Sequence, residues 1–236
     1  MLDPLIRFKE AHRKGLIPDP IYSLVLKRFS IAVEGINRIE KASEIRYPVA
    51  YVEPAVVVSS QSPHSYEFGI LFARTIPIMF DDKFQVVIQI SAPLIAYGLK
   101  GTIHAILAHE FLHFLELIRK ISKMDLLSDE ITGNLFESIH ADETRLFEPR
   151  AVFQDRTLLN HITKRFPSGF RDYKLEDKVI KYWVDKNLPQ TNISLDSNTV
   201  KLSMESLAKI KINSKFLAKL DELEQKSGKI RKKKLY

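Results

Sequence analysis

Hydrophobic positions change period twice along this chain. Over residues 20–45 apolar side chains recur at spacings of three and four, at Ile21, Leu24, Val25, Phe29, Ala32 and Ile36, which predicts an amphipathic helix. Residues 3–15 read as a shorter helix, and Pro18 and Pro20 break the chain between the two. Both helices are expected to cap a sheet. From Tyr47 the period shortens to β-branched runs: Val49-Ala50-Tyr51-Val52, Ala55-Val56-Val57-Val58, then Glu67 to Phe72, Ile76 to Phe80 and Phe84 to Ser91. The loop Ser59-Ser60-Gln61-Ser62-Pro63 and the turn Asp81-Asp82 punctuate them. Helical spacing returns from Gly101 to Ser122, where Ile103 to Ile118 is apolar nearly all the way round, as in a buried segment. A further helix is expected to begin near Ser128-Asp129-Glu130, a cap residue followed by first-turn acids. Lys174 to Trp183 reads as helix, and Leu207, Ile210, Phe216, Leu217, Leu220 and Leu223 form a partly helical apolar pattern.

Strands grouped together and followed by helices predict an α+β fold: a small mixed or antiparallel sheet packed on the buried helix, with further helices at both ends. The expected organisation is one domain over residues 1–225, with a helical cap (1–45), the sheet and central helices (46–155) and a helical part (156–225), followed by a basic tail (226–236). A chain of 236 residues buries a core without covalent staples. It contains no cysteine, which excludes disulfides, thiolate metal sites, iron–sulfur clusters and cysteine nucleophiles. Of the net charge of +7, six charges come from Lys226, Lys229, Arg231, Lys232, Lys233 and Lys234, which leaves about +1 for the rest. Such a tail is expected to be a solvated end or an electrostatic tether, with Lys229, Arg231, Lys232, Lys233 and Lys234 touching nucleic acid or another anionic surface. The first ten residues lack a signal-type apolar region and no segment is apolar enough to span a membrane, so a soluble, cytoplasmic protein is expected. Asn192-Ile193-Ser194 fits a glycosylation sequon and is incidental in that setting.

Chemistry concentrates in His109-Glu110-Phe111-Leu112-His113, inside the buried helix. At about 100° per residue, His113 falls about 40° from His109, with Glu110 about 60° further round. Both imidazoles can therefore reach one ion while the carboxylate stands beside them. An acid and two histidines in so apolar a helix cost several kcal/mol unless they are paired or bound to something. A divalent cation beside a water-filled cleft removes that cost, and without cysteine its ligands must be His, Asp or Glu.

A catalytic zinc takes three protein ligands and one water, so a third side chain has to follow. In the expected next helix, Leu135, Phe136, Ile139, Leu146 and Phe147 form an apolar stripe whose missing turn holds Asp142 and Glu143. Glu143 is the first choice as ligand, with Asp142 as the acceptor orienting a ligand imidazole. Asp142, His140, Glu137 and Glu116 remain alternatives as ligand.

From Phe84 to Val152 the chain resembles the HExxH zinc metallopeptidases, in particular the gluzincin type, in which a second helix donates an acidic ligand. The resemblance implies a zincin-like fold, His109 and His113 as zinc ligands, Glu110 as catalytic base, and an acid near Asp142 as third ligand. Many gluzincins carry the ligand Glu three residues ahead of an Ala-Asp pair; here that slot before Ala141-Asp142 holds Ser138. The expected activity is hydrolysis of peptide or protein substrates by zinc-activated water with Glu110 as general base. His140, His161 and Arg145 are candidates for stabilising the oxyanion. The strand Phe84 to Ser91 could pair with an extended substrate. The competing expectation keeps Zn2+ and discards catalysis, leaving a scaffold that binds a protein or nucleoprotein partner and is anchored by the basic tail.

Overall fold

The structure, a computed structural model, describes residues 3–60, 68–80, 83–123, 146–165, 172–193, 210 and 212–234. It is a mixed α+β arrangement with two three-stranded sheets among the described residues, where one small sheet was expected. The strands are β1 (Val49–Glu53), β2 (Val56–Ser60), β3 (Phe68–Leu71), β4 (Ala73–Phe80), β5 (Lys83–Ser91) and β6 (Gln190–Ile193). The first sheet has the order β1-β5-β4, with β1 parallel and β4 antiparallel to β5. In the second, β2 lies between antiparallel β3 and parallel β6.

β5 is central, bonded on both sides, and Val86, Ile88 and Ile90 bury one of its faces. This excludes the expected pairing of a substrate with Phe84 to Ser91, since that strand has no free edge. Among the described residues the outer strands of this sheet are β1, which the first helix (Ile6–Arg13) packs against, and β4. The Ser91 N–H donates to the Phe72 carbonyl (2.9 Å), and alternation from that bonded pair turns the backbone groups of Ala73, Thr75, Pro77 and Met79 away from β5. Pro77 thus occupies an outward position, where its missing N–H costs no ladder bond.

A short helix, α3 (Ala92–Tyr97), leads from β5 into the motif helix α4 (Lys100–Ser122), in which every residue from Thr102 to His113 is buried. Before the sheets come α1 (Ile6–Arg13) and α2 (Asp19–Ser43). Pro18 stands extended at the cap of α2 and Pro20 lies in its first turn, where a missing N–H is harmless; Glu44, left-handed at φ 58°, ends it. The helix buries Val25, Ala32, Gly35, Ile39 and Ala42, a face rolled away from the larger apolar residues towards its small ones. Close packing is the reason: a Cβ on Gly35 would lie 2.8 Å from the His104 ring of α4. α2 therefore packs on α4 and α3 instead of capping the sheet, and α1 packs on β1.

The later helices are α5 (Pro149–Val152), α6 (Arg156–Arg165), α7 (Tyr173–Val179), which widens into a π turn over Ile180–Val184, and α8 (Ser214–Lys234). Trp183 of the π turn is fully buried, and its Nε1–H donates to the Pro189 carbonyl (2.9 Å). α8 buries Leu220 and Leu223 and is clamped to α4 by Arg119, which bonds Glu224 (2.8 Å) and Asp221. The basic segment does not begin a separate tail: residues 226–234 continue α8. No helix among the described residues is long and apolar enough to cross a membrane.

Candidate metal centre

α4 brings the motif together as its spacing requires. His109, Glu110 and His113 are 4 %, 5 % and 9 % exposed. The imidazoles meet edge to face, with centroids 4.4 Å apart and planes at 84°, and their Nε2 atoms converge to 2.9 Å. Two nitrogens about 2.0–2.1 Å from one tetrahedral zinc lie roughly 3.3 Å apart, so a small rotation of either ring opens the required gap. As it stands, the two Nε2 atoms lie within hydrogen-bond distance of each other. The donor set fits a borderline-soft cation, because both rings present the same nitrogen to one point.

Glu110 faces the sheet. Its Oε2 accepts a hydrogen bond from Thr75 Oγ1 (2.8 Å) on β4, and the same hydroxyl lies 3.0 Å from the Glu110 carbonyl. Burial raises the Glu110 carboxyl above the usual carboxylate range, while the His113 charge and the Thr75 bonds pull it back. Thr75 was not among the residues singled out in the sequence, where the strand was expected to start at Ile76; an isolated Thr at the head of an apolar run was the available signal. Tyr47 was also missed. Its ring stacks on Phe111 (5.4 Å, 13°), and its hydroxyl donates to the Leu107 carbonyl (2.9 Å), steadying the turn of α4 before His109. Burial first, and then the Glu110 charge, raise the Tyr47 phenol well above its ordinary value.

Glu116 stands behind the pair. Its Oε2 is 3.8 Å from His113 Nδ1, on the ring edge opposite Nε2, and its Oε1 accepts the Leu146 N–H (3.0 Å). It therefore backs the imidazole and anchors the chain at Leu146 instead of joining the Nε2 side. One residue pair later, Glu148 N–H donates to Ser227 Oγ (2.9 Å), so the chain is stapled to α4 and α8 in succession.

The expected ligands Glu143, Asp142, His140 and Glu137, and the oxyanion candidate Arg145, lie outside the described residues. Among the described residues no group of three His, Asp or Glu closes around one point. His161 is placed elsewhere: a Cβ on Gly101 would lie 2.8 Å from its ring, and Gly101 precedes His109 by more than two turns, about 12 Å along α4. It is a packing residue between α6 and α4, not an oxyanion partner. No family model, curated protein or solved structure matches the chain.

Proposed function

We propose that this protein is a zinc-dependent metallopeptidase with a zincin-like catalytic core. The observation that carries the reading is the convergence of His109 and His113 Nε2 beside a buried Glu110 whose carboxylate is held by the neighbouring strand. His109 and His113 would hold the zinc with Glu143 as third ligand. Support for that third position comes from Leu146, tied to Glu116 beside His113, because three residues of chain span at most about 11 Å. Bound zinc supplies Lewis acidity, polarising a substrate carbonyl and bringing the pKa of water towards neutrality.

The chain's own groups supply the rest. Thr75 fixes Oε2 of Glu110, so Oε1 is the oxygen free to take a proton from water as it attacks the peptide carbon. The C–N bond breaks as Glu110 returns that proton to the leaving amine. Ala73 turns its backbone groups, and Thr75 its carbonyl, to the outer edge of β4, so an extended peptide can add there as a further strand. Thr75 then touches both partners, the peptide through its carbonyl and the base through its hydroxyl and backbone N–H. A non-catalytic scaffold has no use for a buried acid so placed, since its burial costs stability.

The test pairs metal analysis with digestion of casein. The wild type is expected to hold about one zinc per chain and to cleave; Glu110→Gln should keep the zinc and lose activity by roughly a thousandfold, whereas His109→Ala loses both. Zinc bound with no cleavage would replace this reading by the scaffold.

A further inference from the structure

α8 carries a row of cations on its outer face. At 100° per residue Lys215, Lys219, Lys226, Lys229 and Lys233 fall within an arc of about 80°, and the first and last are about 27 Å apart along the axis. Lys215, Lys226, Lys229, Lys232 and Lys233 are exposed. The helix's acids are mostly spent on internal pairing: Asp221 and Glu224 turn to Arg119, and Glu222 holds Lys226 (2.5 Å) and Lys219 (3.7 Å). Among the described residues no carboxylate pairs with Lys215, Lys229, Lys232 or Lys233. The row ends at a cavity of about 460 Å³ between the end of α2, α4 and the start of α8. Its walls include Phe114 and Phe216, nearly parallel rings 6.1 Å apart, with Arg46, Lys215 and Lys219 among the cations and Glu44 as the acid on Lys219.

We propose that α8 and this cavity bind single-stranded nucleic acid, with phosphates along the lysine row and one base against Phe114 and Phe216. A cationic track combined with aromatic faces is how unpaired strands are held, because each base offers a π-face and each nucleotide a phosphate. A duplex would use the lysines but could place no base in the cavity. An anionic membrane is the poorer occupant: a helix that lies in lipid needs its apolar face free, and here Leu220 and Leu223 are buried with Phe216 and Leu217 packed against the core. The proposal requires no metal and is independent of the hydrolytic reading.

The experiment is fluorescence anisotropy of a labelled 20-nucleotide poly-dT with the full-length protein over a salt series. Binding should weaken steeply with salt, with a log–log slope of about −3 for some four neutralised phosphates on a single strand. The triple variant K229E/K232E/K233E should lose at least tenfold in affinity and flatten that slope. Phe216→Ala should lose roughly tenfold on poly-dT; R46E, an exposed change with no demand on packing, provides a second reading of the same cavity. A triple variant that binds as the parent does, a duplex of equal length bound as tightly as the single strand, or binding only to phosphatidylserine vesicles would each overturn the proposal.

Discussion

Helix α4 buries three histidines, and its two halves use them in opposite ways. In the first half His104 is fully buried, its Nε2 lies 3.1 Å from the Ile31 carbonyl, and its Nδ1 faces Arg38, which is itself locked to Asp155 by two bonds of 2.6 and 2.8 Å. Burial lowers its pKa, with the Arg38 charge acting in the same direction and the Ile31 bond against it. In the second half His109 and His113 turn the same nitrogen to each other beside an acid. Burial alone therefore distinguishes nothing on this helix. What separates a packing histidine from a candidate ligand is whether its nitrogens are directed at backbone and structural partners or at a second ligand.

The sharpest way to break this comparison is to remove one ring from each half. His113→Ala should weaken zinc binding on the order of a thousandfold, about one ligand's share of the binding free energy, as read by competition with a chelator. His104→Ala should leave zinc stoichiometry unchanged and lower stability by about 3 kcal/mol in urea unfolding, through the cavity it opens against α2. A folded His104→Ala protein that no longer holds zinc would erase the distinction. Gly35→Ala probes the packing half from the other side. Its methyl meets the His104 ring at 2.8 Å and should cost about 2 kcal/mol, whereas Gly228→Ala, with nothing within 4 Å, should be neutral or slightly stabilising.

Smaller effects sharpen the chemical half. Thr75→Val keeps the shape and removes the donor to Glu110, so turnover should fall about tenfold and Thr75→Ser should restore it; a Val variant as fast as the parent would leave Thr75 without a role. In metal-free protein, Glu110→Gln should raise the melting temperature by roughly a few degrees at pH 7 to 8. The sign follows from the raised carboxyl: below the unfolded value near 4.5 both states are protonated, and the native state loses its relative advantage as pH rises through the folded value and charge appears in the core. The gain should therefore vanish in acid. A melting temperature unchanged at pH 8 would mean that water reaches Glu110.

The motif helix was legible in the sequence to within a residue of its start, because eleven apolar residues spread nearly all the way round the sixteen from Ile103 to Ile118 admit few alternatives to a buried helix. β6 was not legible: Gln190-Thr191-Asn192-Ile193 has one apolar residue, and its partner β2 lies more than a hundred positions away. The basic segment was read as a tail from its charge, yet Lys and Arg are good helix formers, and Arg119, Leu220 and Leu223 hold the same helix upstream. Thr75 escaped because a strand's polar residue acquires meaning only from what faces it. The order of strands hid as well, since β4 and β5 are equally apolar in sequence and only pairing shows which is the edge.

Pro77 has a bearing on how copies of this chain behave in concentrated solution. An exposed outer strand invites the same strand of another molecule to zip onto it. The imide at Pro77 offers no hydrogen there and the Thr75 N–H turns to the Glu110 carboxylate, so such a zipper loses two successive donors after Ala73. A long guest strand, including another β4, therefore meets a gap at Pro77. The strand is thereby guarded against growth.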